Sequence, residues 1–535
     1  MGAVRTAWAA GVAALALLGG PAFAREPTPV PQIVSQNGRF ALMVDGAPYL
    51  MLGAQMNNSS AWPAVLPKVW PTIDKLHANT LEAPIAWEQV EPREGQFDFS
   101  FLDTLLAQAR QHRVRLVLLW FGAWKNNSPS YAPEWVKLDN ARFPRVITAR
   151  GETRNSLSPL YTATMEADKK AFVALMSHLK AADPQHAVIM VQVENETGVY
   201  GSVRDFSPAA QAAFKGQAPD ALVKALGKPP GTWADAFGPD ADEFFYAWSM
   251  ARYVDALAEA GKAANPLPMY VNAALRDPAG YQDPMSFSSG GPTWDVLDIW
   301  KLAAPHIDVV APDIYMRDYA SYVRTLEQYS RPDNALMVPE TGNGEANARM
   351  VFEVLGRRAL GFAPFGMDET GYSNFPLGAP KLDEATVEAF AQNYRLIEPF
   401  ARQLAALSYQ GKVWGAAEPT DTHVQRVSLG DWQVTASYGM PQFAFPAPTG
   451  NSPPSGGFLV AELGPNEYLL AGYHVRLNFD LTSPAGRKVQ FARVEEGHYA
   501  DGQWVFDRIW NGDQTDYGLN FTSAPQLLRV RLATY

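Results

Sequence analysis

Residues 187–198 read AVIMVQVENETG, an apolar run that closes on two glutamates flanking an asparagine. A strand that is apolar on both faces is covered on both, the condition of a parallel sheet with helices on either side. Seven other runs share this character: YLMLGAQ (49–55), NTLEAPIAW (79–87), VRLVLLWFG (114–122), PMYVNAA (268–274), DVVAPDIY (308–315), ALMVPET (335–341) and LGFAPFGMD (360–368). Helical patterns lie between them. In SFLDTLLAQARQH (100–112), Leu102, Leu106 and Ala109 recur at helical spacing. KKAFVALMSHLKAA, DEFFYAWSMARYVDALAEAG and ARMVFEVLGRRA repeat the theme. Eight such strands alternating with helices predict an α/β fold, a (β/α)8 TIM barrel over residues 37–408, with an open doubly wound sheet as the alternative.

Working outward, FALMVDG and APYLMLGAQM read as two strands turning at Asp45-Gly46. Residues 25–36, REPTPVPQIVSQ, are Pro-rich and polar and read as a linker. Residues 1–24 carry Arg5, an apolar run from Ala7 to Leu18, the breakers Gly19-Gly20-Pro21 and the small-x-small string Ala22-Phe23-Ala24. That is the layout of a cleavable signal peptide, which predicts export to the periplasm or beyond. A membrane anchor is the alternative, but the run is too short to span comfortably. From Lys412 onward come short alternating runs (HVQRVSLG, WQVTASYG, GFLVAELG, QLLRVRLATY) separated by clusters such as FPAPTGNSPPSGG. They predict an antiparallel β-sandwich over residues 409–535 that braces the barrel, or binds sugar through an exposed tryptophan.

Composition narrows the chemistry. Lysine and arginine number 44 against 55 aspartates and glutamates, a net charge of −11, which argues against a nucleic acid or an anionic membrane as partner. Cysteine is absent, which removes disulfides, thiolate metal sites and cysteine nucleophiles. The histidines form no HxH or HExxH pair, and no Walker, dinucleotide-glycine or GxSxG string occurs. Neither cofactor nor metal is expected.

Active sites of barrels lie at the C-terminal ends of the strands. There the fourth strand ends on Glu194-Asn195-Glu196 and the seventh on Glu340-Thr341-Gly342. Two carboxyls on one rim, one protonated and one ionised, are what hydrolysis of a glycoside requires. Glu196 is assigned as acid/base and Glu340 as nucleophile, with Asn195 placed to meet the sugar's 2-hydroxyl. Regular alternation would turn 195 away from 196. A bulge at the strand end is therefore predicted, and Glu194 is read as a salt-bridge partner beneath the rim.

VQVENETG resembles the acid/base segment of glycoside hydrolase family 35, the β-galactosidases of the large retaining barrel clan. NTLEAPIAWEQVEPREGQFDFS resembles that family's second strand and the following turn, and FALMVDGAPYLMLGAQ its entry into strand one. The likeness spans roughly residues 38–370. Two departures stand out: Pro84 and Ile85 replace the family's usual tyrosine, and the Trp120–Asn127 loop with YAPEWVK looks like family 42. The resemblance implies a terminal, non-reducing β-D-galactoside as carbohydrate substrate, retention of configuration and no metal. It also implies that Tyr315 bonds the nucleophile. Trp87, Trp120 and Trp124 are candidates to stack on sugar, and Asn57, Asn58, Asn126, Asn127, Asn272 and Asp368 to bind hydroxyls. The expectation is an exported retaining exo-β-galactosidase. The alternatives are the same machinery on a glucoside, mannoside or fucoside, a transglycosylase, and a non-catalytic sugar-binding barrel.

Overall fold

The computed structural model describes residues 28–441, 447–500 and 502–535; the expected leader, residues 1–24, lies outside the described residues. All eight anticipated strands form, as Met51–Gln55, Thr80–Ala86, Arg115–Lys125, Val188–Asn195, Met269–Ala274, Val309–Ile314, Val338–Thr341 and Gly361–Pro364. They are parallel and close into one barrel in sequence order, the eighth pairing with the first through Gly361 to Met51 and Phe362 to Leu52. The open-sheet alternative is thereby excluded. Among the described residues, no helix is long and apolar enough to cross a membrane.

Alternation sorts the side chains of strand three. Leu116, Leu118 and Trp120 point outward and join the cluster shared with the helices. Val117, Leu119 and Phe121 point inward and pack with Met190, Tyr270, Val309 and Ala311 as the barrel's inner core. Beneath that core sits a small antiparallel sheet of Gln32–Gln36, Arg39–Val44 and Ala47–Tyr49. Its Leu42, Val44 and Tyr49 belong to the same inner cluster, so the sheet seals the floor. The turn at Asp45-Gly46 is as expected, with positive φ at both residues.

Residues 25–36 were expected to be a linker, and here the structure differs. Gln32–Gln36 is a strand, paired with Arg39–Met43 across Asn37-Gly38, both at positive φ. Asn-Gly between two short apolar stretches is a strong hairpin signal, and it outweighs the polar, Pro-rich stretch before it.

Beyond the helix Ala401–Tyr409, strands form a six-stranded and a four-stranded antiparallel sheet. The larger sheet has two apolar faces. Leu459, Ala461, Leu469, Ala471 and Leu527 pack with the barrel helices, whereas Phe458, Val460, Tyr468, Leu470 and Val530 pack with the smaller sheet. The chain passes between sheets at His474, where a left-handed φ of 49° breaks EYLLAGYHVRLNFDL into two strands. The four tryptophans of this region are buried or half-buried, and Trp432, Trp504 and Trp510 give their indole N–H groups to Asn466, Glu495 and Glu496. The bracing role is the one the packing supports.

The two units meet at backbone distance. A Cβ on Gly356, at the end of helix Met350–Gly356, would lie 2.5 Å from the backbone of Gly415 in strand Val413–Ala417. Gly356→Ala is expected to destabilise the protein by about 1–3 kcal/mol, the usual cost of overpacking. The readout is a lowered urea midpoint, and an unchanged midpoint would show that the approach is not tight.

Candidate active site

The polar end of the barrel begins where the apolar layers stop. Gln55, Glu82, Gln192, Asn272, Asp313 and Glu340 are all buried, one or more from most of the strands. Glu340 accepts from the Tyr315 hydroxyl at 2.6 Å on one oxygen and from Gln55 Nε2 at 3.1 Å on the other. Two donors on two oxygens suit a charged carboxylate. The bond expected from Tyr315 is therefore present. Burial, and then the charge of Glu340, push the Tyr315 phenol well up, so it stays a donor. Strand seven carries one extra residue against strand eight between Val338 and Thr341, a bulge that aims Glu340.

Glu196 comes from the other side. Its backbone N–H donates to Asn272 Oδ1 at 3.0 Å and its carbonyl accepts from Asn127 Nδ2 at 2.8 Å. Asn272 in turn donates to Asp313 Oδ2 at 2.6 Å. Oxygens of Glu196, Asp313 and Glu340 lie within 4.8 Å of one another. Three carboxyls at that spacing cannot all ionise. Burial pushes Glu196 up to about 7, opposed by the positive charge of Lys125 and assisted by Glu340. Asp313 is held well above the carboxylate range by burial and then by Glu340 and Glu196. Glu82, which accepts from Tyr270 at 3.2 Å, is raised well above its ordinary value chiefly by burial. An acid that titrates near neutrality, beside two raised well above their ordinary values, makes a site able to donate and to accept a proton. Glu196, Asp313 and Glu340 are also the one acidic group among the described residues compact enough to hold a cation, for which protons on Glu196 and Asp313 would compete.

The distortion anticipated at the end of strand four exists, but the inserted residues are on strand three. Trp120 pairs with Val193 and Lys125 with Asn195, so four residues of strand three stand against one of strand four. Glu194 and Glu196 both adopt left-handed φ, 64° and 46°. Such strain costs about 1–3 kcal/mol per residue and needs surroundings that enforce it. Here Glu194 turns outward and accepts from the N–H groups of Ala123 and Trp124 at 3.2 and 2.8 Å. Its other neighbour is the buried carboxyl of Asp168, which accepts from Trp120 Nε1 and Tyr253 Oη at 2.9 Å each. The salt bridge expected of Glu194 is thus replaced by an acid–acid pair. Gly122 is required beside it, since a Cβ there would lie 2.5 Å from Glu194 Oε1 and 2.7 Å from Asp168 Oδ1.

The other candidates divide. Both amide ends of Asn195 are buried without a protein partner, as are Oδ1 of Asn57, Asn58 and Asn127. Asn57 and Asp368 bind each other through two hydrogen bonds of 2.8 Å, joining strands one and eight, and Asp368 also takes both donors of Thr370. Asp368 therefore fastens a loop. Asn126 accepts from Lys125 at 2.6 Å.

The stacking role is overturned for all three tryptophans, which are fully buried in the main core. Trp87 donates to Glu91 and meets Trp135 edge to face, and Trp124 donates to Ser156. Trp120 points outward by alternation. Exposed apolar side chains instead lie in the loops after the strands: Trp62, Tyr200, Tyr281, Tyr372, Phe375 and Leu377 among them. Gln55, Glu82, Lys125 and Asp313 were not anticipated. Their signal was a polar residue within an otherwise apolar barrel strand.

Residues 62–258 match the family model of glycoside hydrolase family 42, described as beta-galactosidase, and residues 390–522 match a domain of unknown function. A curated beta-galactosidase of Xanthomonas manihotis is 29% identical over 205 residues, 37% of this chain and 31% of its own. The chain thus spans under a third of that relative's length. Among solved structures, the beta-galactosidase of Bacillus circulans sp. alkalophilus is 13% identical over 66% of this chain and 57% of its own, with a TM-score of 0.49. That of Marinomonas ef1 is 12% identical over 69% and 62%, also at 0.49.

The acid–acid pair predicts a pH dependence. Glu194 binds its proton more tightly folded than unfolded, so its contribution to stability is complete below about pH 4.3, the ordinary glutamate value, and is lost as pH rises toward its folded value. Glu194→Gln keeps an acceptor for the Trp124 amide, gives up the one for Ala123, and supplies a donor to Asp168. Urea midpoints are expected to fall with rising pH in the wild type and to depend less on pH in the variant; equal slopes would remove the shared proton.

Proposed function

We propose that the chain is an exported retaining exo-glycosidase that removes terminal non-reducing β-D-galactose from oligo- or polysaccharides by double displacement. The observation that carries this reading is the approach of Glu196 and Glu340 to within 4.8 Å. Retaining enzymes hold their two carboxyls about 5–5.5 Å apart, whereas inverting enzymes leave about 6.5–9.5 Å for a water. Glu340 attacks the anomeric carbon while Glu196 gives its proton to the departing glycosidic oxygen. Glu196 then takes a proton from water, the water oxygen replaces Glu340 at the same carbon, and β-galactose leaves. Asn195 is our candidate for the 2-hydroxyl ligand, a reading supported by its two amide ends lacking protein partners.

The sugar is supported by the beta-galactosidase match over residues 62–258. That match is to family 42, to which the strand-three loop was likened. Family 35 membership remains our finer reading of VQVENETG and WEQVEP, and both families favour the same sugar. Export rests on the leader-like pattern of residues 1–24.

Glu340→Gln is expected to lower turnover of an aryl β-galactoside by ~10⁴-fold or more, the scale of removing a covalent nucleophile, with folding intact. Azide is expected to rescue Glu340→Ala with an α-configured galactosyl azide. Full activity of the Gln variant refutes the assignment. An aryl-glycoside panel tests the sugar, and a preference for glucose, mannose or fucose moves it.

The acid must carry its proton, so kcat/KM is expected to fall as pH rises through about 7, the value to which Glu196 is pushed. Lys125 opposes that shift. Lys125→Met is expected to move the alkaline limb to higher pH, and an unmoved limb would mean that another group titrates.

A further inference from the structure

We propose that Asp313 is a positioning residue for the acid: it keeps a proton of its own and donates it as a hydrogen bond to the Glu196 carboxylate once that group has protonated the leaving oxygen. This deepens the glycosidase reading above and rests on it. Asp313 lies in strand six, 3% exposed, beside Ala274 of strand five and Glu340 of strand seven. Its Oδ2 accepts from Asn272 Nδ2 at 2.6 Å, and the same amide group accepts from the Glu196 N–H at 3.0 Å. One asparagine thus ties Asp313 to Glu196. The other oxygen, Oδ1, is buried, and no hydrogen-bond donor among the described residues reaches it.

A buried carboxyl oxygen without a donor is costly as long as it can only accept. A proton on Oδ1 turns it into a donor, and carboxyl oxygens of Glu196 and Glu340 lie within 4.8 Å of an oxygen of Asp313. Glu340 already receives Tyr315 and Gln55 on its two oxygens, which leaves Glu196 as the acceptor. Burial raises Glu196, and both Lys125 and a hydrogen bond with Asp313 draw it back. The groups around Asp313 keep the proton where it is. Burial, then Glu340 and Glu196, hold Asp313 well above the carboxylate range, against Lys125 from strand three and Asn272 from strand five. Its other titratable neighbours are Tyr270 of strand five, Tyr315 just past its own strand and Tyr329 of helix Tyr319–Tyr329, phenols that burial keeps neutral.

In the double displacement proposed above, Glu340 attacks as a carboxylate and ends as an ester, so the negative charge passes to Glu196. Asp313 offers that charge a donor without adding a charge of its own, and its O–H bond stays intact throughout. A fixed donor aimed at the place where charge develops lowers the barrier.

An asparagine at this position can turn its amide oxygen to Asn272 and its N–H to Glu196, whereas valine fills the space and donates nothing. The test reads kcat/KM for phenyl β-galactoside against pH in the presence of a chelator. Asp313→Asn is expected to keep the wild-type alkaline limb and most of the activity. Asp313→Val leaves ionised Glu196 without this donor. Its limb is expected at higher pH and its plateau ~10²-fold lower, the lower end of what a positioned proton donor contributes. A limb moved to lower pH in both variants would mean that Asp313 is charged and repels a second charge. Loss in the valine variant with an unmoved limb would mean a structural role alone. Either result overturns the proposal, as do full activity of the valine variant and an asparagine variant no better than valine. Wild-type activity lost to the chelator overturns it too, by putting a cation where the proton is placed. Infrared difference spectra add a readout without turnover. Wild type minus Asp313→Asn, taken above the alkaline limb, is expected to show the C=O stretch of a protonated carboxyl, and its absence overturns the proposal. That band in a protein inactive on the aryl galactoside would uphold the proton on Asp313 while removing the hydrolase reading.

Discussion

Glu196, Asp313 and Glu340 repel one another, and much of the barrel's polar end is organised around that repulsion. Within 4.8 Å, three negative charges would be too costly to bury, so two of the groups bind protons more tightly than free carboxyls do. Tyr315 and Gln55 both donate to the third, Glu340. Lys125, buried nearby, moderates the proton affinity of Glu196 and keeps it near neutrality rather than far above it. Removing any of these neighbours alters the distribution of protons before it alters any contact with substrate.

The repulsion needs a rigid frame, and strand three provides it. By bulging, it presents two backbone N–H groups to Glu194, and this draws that side chain out of the barrel. Glu194 and Glu196 would share a face in a regular strand. The left-handed turn at Glu194 breaks that symmetry, so that one acid anchors the scaffold and the other faces the cavity. The anchoring acid meets a second buried carboxyl, Asp168, rather than a cation, and burial raises the proton affinity of both.

The eight strands were legible because each is a compact apolar run, and a run buried on both faces leaves a signal that needs no partner to interpret. Glu196, Glu340 and Tyr315 were legible because they close such runs. Trp87, Trp120 and Trp124 misled for a related reason. An indole at a strand end is suited to sugar and to core alike, and only the alternation within strand three, with Trp120 in the outward set, separates the two. The strand-three insertion left no mark, because its residues are as apolar as the strand itself. Gln55, Glu82 and Asp313 left a faint one, a single polar residue in an otherwise apolar run. The larger C-terminal sheet shows the opposite limit. Its strand Gly457–Gly464 is apolar in succession because one face meets the barrel and the other the smaller sheet, so alternation is lost where a sheet is sandwiched between two layers.

The small N-terminal sheet carries a consequence for traffic through the molecule. Leu42, Val44 and Tyr49 stopper the barrel from below, so the described residues close the end opposite the carboxyls. Whatever reaches the carboxyls must arrive and depart by the same mouth.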